Sequence, residues 1–174
     1  MIEFRDPAPA VAAYTRRFSL TSCALAAAAC LLLAAVTAPA ADPPRIELAR
    51  DGRAQVAVVV AVDAPSAVGE SARELAEMLG RITGGSFEVG AGDGAEGIAV
   101  GLAGDFPSAP SADVLDAEGA AGREPYLLRS HAKGLWVIGA TPLAVQNAVW
   151  DLLYRLGFRQ YFPGEAWEIV PERP

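Results

Sequence analysis

The sequence predicts an α+β fold, a mixed β-sheet with two main helices packed mainly on one face. Three observations carry this. Two segments, opening at Pro65-Ser66 and at Thr141-Pro142, place apolar residues at the helical period. Short runs rich in Val, Ile, Leu and aromatic residues, bounded by Gly, Asp and Pro, surround them. Their order is β-β-α-β-β-loop-β-β-α, which suits helices layered on a sheet. No internal repeat is visible.

Residues 1–40 read as a signal peptide and 41–174 as one domain. Arg16 and Arg17 form a positive n-region, an Ala- and Leu-rich run follows, and Ala38-Pro39-Ala40 has the small residues of a cleavage site. A membrane span needs about 20 strongly apolar residues. This Ala-rich run, ending at Pro39, falls short, so no stable membrane anchor is expected and the domain is placed in the periplasm or outside the cell. Thr15-Arg16-Arg17 before Phe18 is a loose twin-arginine pattern, so twin-arginine and general export both stay open. Taking Arg5, Arg16, Arg17, Glu3 and Asp6 from the 14 basic and 21 acidic residues leaves 11 and 19, a net charge of −8. Such an acidic domain repels nucleic acid and anionic lipid. Cys23 and Cys30 leave with the signal, so the mature domain has no thiol nucleophile, cysteine ligand or disulfide, and no cofactor is expected.

In the domain, residues 45–52 and 53–63 read as two strands around an Asp-Gly turn, with 56–62 apolar enough to be covered on both faces. In the first helix Val68, Ala72, Leu75, Leu79 and Ile82 form the core stripe, and Gly84-Gly85 supplies the stop. "SFEVG" and "GIAVGL" are strands joined by a hairpin loop, "AGDGAE". Residues 103–124, rich in Gly, Pro, Ser and Asp, form a loop of unusual length, either functional or loose surface. "PYLLRS" and "GLWVIGA" make a hairpin around "HAKG". In the second helix Thr141 is the N-cap, Pro142 takes the first helical position, and Val145, Val149, Leu152, Leu153 and Leu156 face the core. Trp150 and Tyr154 add a second apolar flank, so the helix is wetted on a narrow side and contacts something beyond its own sheet.

The segment "GLWVIGATPLAVQNAVWDLLYRLGFRQYFPGEAWEIVP" resembles the end of the N-terminal domain of α-glucuronidases and of related glycoside-hydrolase-like secreted proteins. The likeness rests on a strand ending in Gly, the Ala-Val and Leu-Leu pairs, Leu-Gly-Phe-Arg and Tyr-Phe-Pro-Gly-Glu. "ESARELAEMLGRITGGSFEV" is similar to that domain's first helix and following strand. The one departure is Pro125, where that pattern has Gly. The resemblance implies a domain like domain 2 of β-hexosaminidases, with a zincin-like outline and no zinc site. It implies that a catalytic (β/α)₈ barrel follows, and that Tyr161, Phe162 and Trp167 lie at the junction. A barrel needs about 250 residues, and three residues follow Pro171. The expected partner is therefore a catalytic barrel missing from this chain or carried on another.

The residues themselves offer little chemistry. Glycoside hydrolysis takes two carboxyl groups about 5–9.5 Å apart. Glu165 and Glu168 are the local candidates, but nothing nearby separates their pKa values. Glu165 is expected to cap a turn, and Glu168 to be solvated or to face a partner. His131, the one histidine, is expected in water at a hairpin turn. Ser130 and His131, adjacent on a strand, point to opposite faces and cannot act as a pair. The glycines of "GAGDGAEGIAVG" precede a strand instead of a helix and do not make a phosphate loop. Trp136, Trp150, Tyr154, Tyr161 and Trp167 suit a sugar platform or, in the plainer and favoured reading, core and interdomain packing. The expected function is a non-catalytic accessory domain of an exported glycoside-hydrolase-like protein, with Trp150, Tyr161, Phe162 and Trp167 as its contact surface. The alternative is a free-standing exported carbohydrate-binding module, with an oligosaccharide as partner.

Overall fold

The domain's first turn is built by Asp51 and Gly52, which take positive φ angles of 50° and 71°. Such angles suit a two-residue hairpin whose twist matches its strands. They join β2 (Ile46–Arg50) to β3 (Arg53–Ala54) in the computed structural model, which describes residues 2–4, 44–110, 115 and 124–173. The predicted signal peptide falls outside the described residues except for β1 (Ile2–Phe4), which pairs antiparallel with β2. The described residues belong to one compact unit, 1–6 with 43–174.

The run after the Asp-Gly turn does not stay one strand. β3 pairs with β2, whereas β4 (Val58–Val60) enters a separate five-stranded sheet, with 55–57 between them. Val58 is fully buried and Val59 and Val60 are half-buried, but Val62 is 82% exposed, so the double covering expected over 56–62 ends with β4.

The large sheet runs β5-β4-β6-β8-β7, with β5 (Val89–Ala91), β6 (Gly97–Leu102), β7 (Tyr126–His131) and β8 (Gly134–Gly139). It is mixed: β5, β4, β6 and β8 are parallel, and β7 closes one edge antiparallel to β8. This corrects the hairpin expected between "SFEVG" and "GIAVGL". β5 and β6 do not pair with each other but flank β4, so "AGDGAE" crosses the end of β4. Two strands joined by a hairpin must run antiparallel, and both of these run parallel to β4.

The helices form where periodicity placed them. In α1 (Ser66–Thr83) Val68, Ala72, Leu75, Leu79 and Ile82 are buried, and Gly84 closes the end at φ 76°. In α2 (Pro142–Arg155) the Thr141 hydroxyl accepts from the Ala144 N–H at 3.2 Å, and Pro142 sits at the first turn. The two helices pack side by side on one face of the sheet. Val58, Val60, Val100, Leu128, Leu135 and Val137 meet them from below in one apolar cluster with Leu48 and Phe158. The fold is therefore α+β with a mixed sheet and two helices on one face.

The other face is also covered. Ala99 and Ile138 pack there with Phe106 and Leu115, both nearly buried, and Val59, Leu127 and Trp136 border them. Residues 103–124 are expected to be functional or loose surface; of their described part, Phe106 and Leu115 pack on this face as a structural cover, with Ala103 and Ala109 beside them. A largely parallel sheet buries both faces. With both helices on one side, Phe106 and Leu115 from the described part of the β6–β7 connection cover the other.

Pro125 fits at the start of the β7–β8 hairpin. Its carbonyl accepts from the Ala140 N–H at 3.0 Å, and on an edge strand its missing donor is not needed.

Candidate functional site: the aromatic C-terminal hairpin

After α2, Gly157 takes φ 103° and turns the chain so that Phe158 drops fully into the core. From that anchor rises a small hairpin of β9 (Arg159–Gln160) and β10 (Glu168–Ile169), paired Gln160 to Glu168 and Arg159 to Ile169. Its tip holds a 3₁₀ turn, Glu165–Trp167, introduced by Gly164 at φ 112°. The Trp167 N–H donates to the Gly164 carbonyl at 3.0 Å, and the Tyr161 N–H to the Trp167 carbonyl at 3.1 Å.

This geometry turns apolar side chains outwards. Tyr161 is 64% exposed, Phe162 61%, Trp167 53% and Ile169 51%. Phe162 and Trp167 brace each other edge to face at 5.1 Å. The base of the hairpin is held from several sides. Arg81, in the last turn of α1, pairs with Glu168 at 2.6 Å. Gln160 donates to the same carboxylate at 3.4 Å. The Arg159 guanidinium donates to the carbonyls of Tyr154 and Phe158 at 2.5 and 2.6 Å and lies over the Tyr154 ring. Val170 packs on the core, and the Arg173 N–H reaches the Ile82 carbonyl at 2.9 Å. A fixed backbone beneath exposed rings lowers the ordering cost that any contact with them would carry.

Three of the four predicted contact residues, Tyr161, Phe162 and Trp167, share this tip. Trp150 belongs to a second group. It is half-buried on α2, packed against the core and in ring contact with Phe158 at 5.6 Å and Tyr154 at 6.3 Å. Arg159 links the groups through Tyr154. Trp136 lies elsewhere, among the residues of the other sheet face, so the five aromatic candidates do not form one platform.

Three further expectations are corrected. Glu168 is not solvated: its side chain is 11% exposed and held by Arg81. The pairing spans 87 positions, beyond any local pattern. Glu165 opens the 3₁₀ turn without a side-chain capping bond. His131 is half-buried and stacked on Trp136. Ser130 faces the helices, opposite Leu135, while His131 lies opposite Gly134, so the two do point apart.

A hollow of about 610 Å³ lies at the other end of α1, lined by Ala67, Glu70, Ser71, Glu74, Pro142, Leu143 and Gln146. Burial, and secondarily the charge of Glu77, raises the Glu74 pKa. Among the described residues no three His, Cys, Asp or Glu side chains converge as a metal site requires, and no helix is long and apolar enough to cross a membrane. No protein-family model matches the chain, and comparison with curated proteins finds no match.

Proposed function

We propose that this chain is a non-catalytic accessory domain of an exported glycoside-hydrolase-like protein, and that its C-terminal hairpin braces a catalytic barrel. The observation that carries the reading is the set of ordered, outward-facing rings at Tyr161, Phe162 and Trp167, on a hairpin clasped to α1 and α2. Burying such rings is where an interface gains most of its free energy. The resemblance of 134–171 to α-glucuronidase N-terminal domains supports the choice of partner, and with it a zincin-like outline and export behind residues 1–40.

The test is hydrogen exchange with a separately purified glycoside-hydrolase barrel of the α-glucuronidase type. Amides of 159–169 should become protected, and Phe162→Ser with Trp167→Ser should abolish the protection while leaving the fold intact. The chain alone should not cleave aryl glycosides. Turnover that survives purification, or no protection by the barrel, sinks the proposal. Saturable quenching of tryptophan emission by oligosaccharides, lost in Trp167→Ala, would favour the alternative, a carbohydrate-binding module.

A further inference from the structure

The β7–β8 hairpin ends at the chain's single histidine. His131 pairs with Gly134 across the hairpin, and its ring lies 4.4 Å from that of Trp136 with the planes 20° apart. Only glycine permits this at position 134, since a Cβ there would stand 2.7 Å from His131 Nε2 and 2.1 Å from the Gly97 carbonyl oxygen. His131 Nε2 is buried without a hydrogen-bond partner, and so is Trp136 Nε1. Trp136 in turn borders the apolar cluster of Ala99, Phe106, Leu115 and Ile138. The imidazole thus covers Trp136 at the border of the second core.

A neutral imidazole is tolerated here better than a charged one, because an unprotonated Nε2 forgoes one neutral acceptor bond and no charge is buried. An imidazolium carries an N–H at both nitrogens, and a buried charged donor without a partner is costly. The charged neighbours do not offset this. Arg129, on the same face of β7, is exposed and of like sign. Lys133, in the turn, is engaged by Glu96 at 2.5 Å. From β6 and β8 the described neighbours are Gly97, Gly134 and Trp136, none of which titrates.

We propose that His131 is an acid-sensitive latch, whose neutral ring on Trp136 holds the hairpin tip closed over the second core and whose protonation releases it. Burial pushes the His131 pKa below its ordinary 6.5, and no charged group contributes. The sign follows. Above pH 6.5 folded and unfolded chains are both neutral here and the latch has its full strength. As pH falls below 6.5 the unfolded or opened chain takes the proton first, and stability drops until pH passes the lowered folded value. One effect opposes this: a cation over an indole face is attracted. If that attraction won, the pKa would lie above 6.5.

With one histidine the test is unambiguous. The Cε1–H resonance of the full chain, followed by NMR from pH 8.5 to 4.5, should show a midpoint below 6.5. Hydrogen exchange of 126–139, corrected for intrinsic rates, should accelerate by up to about tenfold per pH unit between 6.5 and that midpoint. His131→Gln should abolish the acceleration. Trp136→Phe, which keeps an apolar ring, should retain it. A midpoint at or above 6.5, or equal acceleration in His131→Gln, overturns the proposal. The NMR titration needs no variant, and none of these readouts depends on the C-terminal hairpin or its partner.

Discussion

Replacing Phe106 by Ala tests whether the stretch after β6 is a structural cover. Its ring is 2% exposed and rests where the sheet and an adjoining turn have no side chains. A Cβ at Gly101 would come within 2.6 Å of Phe106 Cε2, and one at Gly94 within 2.6 Å of Cδ1. An aromatic side chain buries roughly 150–250 Å², worth about 4–6 kcal/mol at about 25 cal/mol per Å² and an upper bound. Measured Phe→Ala losses in cores run about 3–5 kcal/mol. This ring sits on a connection that can partly collapse, so we expect about 3 kcal/mol and a Tm lower by about 10 °C. Urea unfolding followed by both far-UV circular dichroism and tryptophan emission reads it. A loss under about 1 kcal/mol with unchanged denaturant dependence would refute the cover. The glycine supplies a second arm. Gly101→Ala alone should cost about 1–3 kcal/mol by overpacking. Combined with Phe106→Ala it should cost at least about 0.5 kcal/mol less than the sum, because the ring it strikes is gone. Strict additivity would mean the ring and the glycine do not meet.

Arg81→Met should cost about 1–2 kcal/mol, since it leaves the largely buried Glu168 carboxylate with only Gln160; hydrogen exchange at 159–169 should rise, and unchanged exchange would show the clasp to be idle. Thr141→Ala should lower stability by about 1 kcal/mol and Thr141→Ser by much less, because only Ala removes the hydroxyl that accepts from Ala144; thermal melts compare them. The triple variant Tyr161→Ser, Phe162→Ser, Trp167→Ser should leave the Tm within about 2 °C yet shorten retention on a hydrophobic column, since these rings are mostly exposed. A large fall in Tm would assign them to the fold instead of to a partner.

Much of this was legible where neighbours along the chain decide the outcome. The α1 stripe of Val68, Ala72, Leu75, Leu79 and Ile82 and the α2 stripe of Val145, Val149, Leu152 and Leu153 are buried as their spacing requires. Thr141, Pro142, Gly84 and the Asp51–Gly52 turn act through bonds and angles within a few residues. Tyr161, Phe162 and Trp167 were picked out through the resemblance of the tail, and all three side chains are exposed. The Arg81–Glu168 clasp, the His131–Trp136 stack and the seat of Phe106 on Gly94 and Gly101 left no such mark. Each depends on which strands and helix ends become neighbours.

The sequence by itself determined the α+β class, the positions of both helices, the β7–β8 hairpin and the apolar character of the tail, because periodicity, capping and turn geometry act over one or two turns of chain. Only the tertiary structure decided that β5 and β6 flank β4 in parallel, that Phe106 and Leu115 cover the second face, and that Glu168 and His131 are drawn out of water. Strand order and register reflect which apolar faces can be buried together. That balance is struck between residues tens of positions apart, and no local pattern records it.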